Sequence, residues 1–156
     1  MAFNWPVFTQ LSPFEIQLHW ATAVVAFFLG AAVLASRKGT AAHITMGALY
    51  VVLMLVTSVA AFFIRNGEVS GLEYLTPKGM TGIHVFIPVT LYGVIGGLYG
   101  ILVHKDRRAH KWPMVSSYFG ALVIAGALTF IPGRRMHLLF FGDPAAIAKT
   151  VADIPM

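Results

Sequence analysis

Four apolar runs constrain this chain more than any other feature, because each is long enough to cross a hydrocarbon core, which takes about 20 helical residues. They occupy 14–36, 40–64, 79–103 and 112–131 of the 156 residues. Inside a bilayer every backbone N–H must bond within the protein, so such runs are expected to be helices. Composition agrees: hydrophobic residues make up 58% and charged residues only 11%, against about 25% charged in an ordinary soluble domain. The expectation is an all-α integral membrane protein, one domain over 1–156, folded as an up-down-up-down four-helix transmembrane bundle with short interfacial segments at both termini.

Local signals place the ends. Ser12-Pro13 reads as a helix cap followed by proline at the first helical position, and Arg65-Asn66-Gly67 closes the second run. The stretch from Asn66 to Lys78 is polar enough for a loop, and Pro132-Gly133 ends the fourth run. Pro88 is expected to kink the third helix, since it offers no N–H to the carbonyl of His84. The opening Ala2 to Phe8, with Trp5-Pro6, resembles an interfacial anchor. Met1 to Gln10 holds no cation and no small-residue cleavage site, so it does not read as a signal peptide and is expected to remain on the mature protein. Asp143-Pro144 is expected to open a short helix to about Ile154 within a tail, 134–156, too short to span.

The turns after the first and third runs share one side. They hold Arg37, Lys38, Lys105, Arg107, Arg108 and Lys111, six of the eleven Lys and Arg, which places them in the cytoplasm and both termini outside. The net charge of +5 flanks apolar segments and does not cover a soluble face, so phospholipid headgroups are the expected anionic neighbours and nucleic acid is not. With no cysteine in the sequence, disulfides, thiolate-held clusters and covalent c-type haem are excluded.

The six histidines need an account, because ionisable groups in membrane helices are costly unless they face a partner, water or the interface. His19 and His84 lie about five residues inside the outer ends of the first and third helices. His43 opens the second helix and His110 precedes the fourth, so these two share the cytoplasmic depth. In the expected bundle each pair stands on a diagonal, as two axial ligands of a b-type haem would. At 100° per residue, His43 shares a face with Gly47, Tyr50, Met54, Thr57 and Ala61, and His19 shares one with Thr22, Ala23, Ala26 and Gly30. Gly93, Gly97 and Gly100 lie opposite His84 and read as a close-packing face. Interfacial water and headgroups could also satisfy all six histidines. His137, after Arg134-Arg135, could close over the outer site or touch lipid phosphate.

Leu18-His19, Arg37-Lys38-Gly39-Thr40 with His43 and Gly47, Ile83-His84, Arg107-Arg108-Ala109-His110 and Pro132-Gly133-Arg134-Arg135-Met136-His137 together resemble a family of small bacterial predicted integral membrane proteins known only as a domain of unknown function, number twenty-three-oh-six. The resemblance covers about Pro13 to Phe140 and leaves out His104 and the aromatic N-terminus. It implies a four-helix integral membrane protein and supplies no activity; the charge count then places it in the bacterial inner membrane with periplasmic termini.

The leading expectation is a membrane protein binding haem b or quinone for transmembrane electron or proton transfer. Cofactor contacts would come from His19, His84, His43, His110, Arg134, Arg135 and His137, the first four as iron ligands, with no catalytic residue assigned. The alternative is a non-catalytic accessory or assembly subunit of a larger membrane complex, or a homo-oligomer, using the glycine face and the aromatic N-terminus. A transporter or channel is disfavoured by the lack of charged residues in the middle of any run. No nucleophile with an adjacent base and no phosphate loop supports a hydrolase or kinase. Peptide tags scanned along the chain should be shielded in intact cells at the 37–38 and 105–111 turns and accessible at both termini. A cytoplasmic N-terminus would reverse the assignment.

Overall fold

In a computed structural model the described residues, 3–64, 82–132 and 134–152, form helices joined by short turns, with no strand among them. A short helix α1 (Trp5–Thr9) leads to two helices long and apolar enough to cross a membrane, α2 (Phe14–Ala35) and α3 (Ala41–Phe63). A 3-10 turn, Gly82–Val85, opens a shorter apolar helix, α4 (Phe86–Leu102). Next comes α5 (Arg107–Ser117), which runs through a π-helical stretch, Tyr118–Ile124, into α6 (Ala125–Leu128). Two short helices finish the chain, α7 (Arg135–Phe141) and α8 (Pro144–Ala152). The expected polar loop lies almost wholly in 65–81, outside the described residues.

Several boundaries differ from expectation for local reasons. Ser12 does not cap α2, because its hydroxyl is buried and donates to the Val7 carbonyl at 2.7 Å. Pro13 takes the cap position instead. Pro88 lies in the first turn of α4, where its missing N–H costs no helical bond, and the 3-10 turn precedes it. The fourth apolar run begins its helix at Arg107, not Trp112, because the Asp106 carboxylate caps the Arg108 N–H at 2.7 Å. Residues 107–111 are therefore helical, and His110 lies inside α5. Between α2 and α3, Gly39 takes a φ of +80°, a conformation natural only to glycine, and the Thr40 hydroxyl caps the His43 N–H at 3.2 Å. Lys38 turns back onto the carbonyls of Val33, Leu34 and Ser36, closing the C-terminal end of α2, where a cation is favoured.

Packing links α2 to α3, α3 to α4 and α4 to α5, and the π-helical stretch touches both α4 and α2, closing the circuit. The core holds Ala26, Tyr50, Val51, Met54, Val94, Tyr118 and Leu122. Large apolar side chains such as Phe14, Phe28, Ile44, Tyr92 and Leu102 point outward, a distribution that suits hydrocarbon surroundings and not water. The expected glycine face does pack, and inside the chain. An ideal Cβ on Gly93 would fall 2.9 Å from the Pro113 carbonyl, and one on Gly100 would fall 2.7 Å from the Ala109 backbone.

The termini form a second cluster, with Val7, Leu139 and Ile147 at its centre. The Asn4 amide donates to the Leu138 and Gly142 carbonyls at 3.1 and 3.0 Å, and its backbone N–H donates to Leu139 at 2.9 Å. Gly93→Ala and Gly100→Ala should each lower stability by about 1–3 kcal/mol through overpacking. Gly96→Ala, whose new methyl meets nothing within 4 Å, should be neutral or slightly stabilising, since alanine favours helix by about 1 kcal/mol. Thermal unfolding in detergent reads all three.

Candidate functional site: two histidine pairs

Each of the four expected ligand histidines has one ring nitrogen held by the protein. His19, on α2, donates from Nδ1 to the Thr57 carbonyl of α3 at 2.9 Å. Beside it the Thr57 hydroxyl donates to the Thr22 hydroxyl at 2.7 Å, which donates on to the Leu18 carbonyl at 2.8 Å. His84 donates from Nε2 to the Ile64 carbonyl, at the end of α3, at 2.9 Å. His19 and His84 lie within electrostatic reach of one another.

At the other end, His43 Nδ1 meets the Ser36 hydroxyl at 3.1 Å. The single hydroxyl proton of Ser36 goes to the Val33 carbonyl at 2.8 Å, so its oxygen must accept and His43 Nδ1 must carry the hydrogen. His110 donates from Nδ1 to the Gly97 carbonyl of α4 at 2.9 Å. His43 and His110 are within electrostatic reach as well. Electrostatic reach thus links His19 with His84 and His43 with His110.

Carbonyls only accept, so these contacts fix tautomers. In the neutral ring, His19, His43 and His110 keep the hydrogen on Nδ1 and an in-plane lone pair on Nε2, whereas His84 has the reverse arrangement. A metal-binding imidazole is typically oriented in this way, by an acceptor on its second nitrogen. Among the described residues no three His, Asp or Glu side chains converge, so a cage of protein ligands alone is not built here and the histidines are organised in pairs.

The other candidates serve different ends. Arg135 donates to the Leu11 carbonyl and ties the two termini together. Arg134 caps α7. His137 stacks on Phe141 at 5.4 Å with its buried Nδ1 lacking a partner, and His104 is exposed against Tyr99 at 4.9 Å.

Sequence reasoning missed the acceptors. The carbonyls of Thr57, Ile64 and Gly97 have no sequence signature, but the seven-residue interval of His43, Tyr50, Thr57 and Ile64 marks the face of α3 on which these contacts gather. Solid-state 15N NMR of histidine-labelled protein should find neutral His19 and His110 protonated at Nδ1 and His84 at Nε2. A uniform Nε2–H population would refute the arrangement.

No curated protein and no solved structure matches the chain. A family model described as predicted membrane protein (DUF2306) matches residues 16–153, nearly all of the helical chain and all four paired histidines, and the chain belongs to that family.

Proposed function

We propose that the chain is a single-domain, four-helix protein of the bacterial inner membrane that transfers electrons across the bilayer through haem b held by its histidine pairs. The observation that carries this reading is that His19 lies within electrostatic reach of His84 and His43 within reach of His110, one pair towards each end of α3. The closed packing order puts α2 opposite α4 and α3 opposite α5, the diagonals along which both pairs reach. The bond from Asn4 to Leu138 spans 134 residues and joins the two ends of the chain. Ends that meet lie on one side, which supports an even number of crossings. The basic turns supply the orientation.

The donor set fits the group best at the cytoplasmic end. An axial imidazole needs a lone pair toward the iron and an acceptor behind the other nitrogen, and His43 and His110 have both. At the outer end His19 meets the requirement, while His84 has given Nε2 to the Ile64 carbonyl and would have to leave that carbonyl to ligate through Nε2. Haem supplies one-electron transfer at its iron. The protein supplies orientation of the imidazoles, a water-poor surround and a fixed separation between the two ends. Quinone is the second candidate at the same ends, exchanging hydrogen bonds with the histidines.

The accessory-subunit reading has less to rest on. The face of Gly93 and Gly100 is filled by α5, and the aromatic N-terminus is engaged within the chain, Phe3 on Phe140 at 5.3 Å and Phe8 on Trp20 at 4.9 Å.

Purified protein, oxidised and then dithionite-reduced, should show a Soret band and a sharpened α-band. His43→Ala and His110→Ala should remove one component, and His104→Ala should leave the spectrum intact. A colourless, iron-free protein after expression with haem supply sinks the haem reading.

A further inference from the structure

Two hydroxyls in the middle of the main core have no hydrogen-bond partner, Tyr50 Oη and Ser117 Oγ. Tyr50 is 4% exposed and Ser117 1%. They approach one another without completing a bond between them. Burying a hydroxyl unpaired is costly, and two neighbours left unpaired in one spot point to a shared partner.

Their position is ordered with respect to the histidines. Tyr50 follows His43 by seven residues on α3, and Ser117 follows His110 by seven on α5. Each is two helical turns deeper, about 10.5 Å along the axis. Side chains on a helix lean toward its N-terminus, which brings the long Tyr50 ring back toward the His43 end. Between His43 and Tyr50 sits the half-exposed Gly47, where an added Cβ would meet nothing within 4 Å. One turn below Tyr50, Met54 is buried at 1% exposed.

Neither hydroxyl can readily turn elsewhere. The Tyr50 and Tyr118 rings press on Gly30, 2.8 and 2.6 Å from its ideal Cβ, and the Ser117 Cβ presses on Gly93 at 2.9 Å. The π-helical stretch begins at the next residue, Tyr118. Its wider turn lets two consecutive residues, Ser117 and Tyr118, both face the core. A hydroxyl offers one donor and two acceptor sites, and a single water can satisfy two of them at once.

We propose that Tyr50 and Ser117 bind one ordered water molecule in the bundle interior. The water joins the two hydroxyls, α3 to α5, and keeps a hydrogen-bonding molecule on the cytoplasmic side of Met54. The site rests on burial and missing partners, and not on a cofactor.

X-ray radiolytic footprinting of the full chain in nanodiscs tests it, because radicals formed from a bound water label the side chains beside it. Tyr50 should be labelled in the wild type and several-fold more slowly in Ser117→Ala. An unlabelled Tyr50, as a direct Tyr50–Ser117 bond would give, or a rate unchanged by Ser117→Ala, overturns the proposal. In a second measurement, Tyr50→Phe and Ser117→Ala should each lower the Tm, and the double variant should fall no further than the larger single effect. Single variants that leave the Tm unchanged or raise it also overturn the water. Labelling is read with or without pigment, so a failure here is separable from a failure of the haem reading.

Discussion

A polar hydrogen inside a bilayer has no bulk solvent to bond, so the polar groups of this core depend on acceptors within the chain or on bound water. One stripe of α3 meets most of that demand. At seven-residue intervals it presents His43, Tyr50, Thr57 and the Ile64 carbonyl, which face His110, Ser117, His19 and His84 in turn. Since α3 is bonded to α2 through His19 and Thr22 and to the start of α4 through His84, the polar contacts also set the helix order. Packing and potential chemistry therefore share the same residues, and a substitution on this stripe acts on both.

Contact between α4 and α5 works by a different means. There the backbones come close because Gly93 and Gly100 carry no side chain, and the close approach lets His110 reach the Gly97 carbonyl. The π-helical stretch then turns Tyr118 into the core over Gly30, so the continuation of α5 reaches α2 as well as α4. Small residues thus decide which helices touch, and histidines decide how they are fixed in rotation.

Much of this was legible from residue type and spacing. The stripe through His43, Tyr50, Met54 and Thr57 and that through His19, Ala26 and Gly30 could be read from 100° periodicity, because inward-facing positions in a membrane helix favour small and polar side chains. Shared depth pointed to the same histidines that lie within electrostatic reach of one another. Backbone acceptors could not be read, because every residue has a carbonyl. The π-helical register at Tyr118 was hidden as well, since a widened turn leaves no composition behind it, and the cap at Asp106 was masked by a run of cations that reads as a loop. Arg135 also ties α7 to Leu11, a long-range contact that no local pattern records.

That tie, with Asn4 on Leu138 and Gly142, bears on the order of assembly. The α2–α3 and α4–α5 hairpins join neighbours in sequence and can form while the chain is still being made, whereas contacts of long sequence separation come late. Asn4 must wait for residues 138–142 to leave the ribosome, by which time every apolar run has been delivered to the membrane. The clasp between the two ends thus acts as a seal on completed insertion, and a chain interrupted anywhere before α7 would be left with its first segment unfastened.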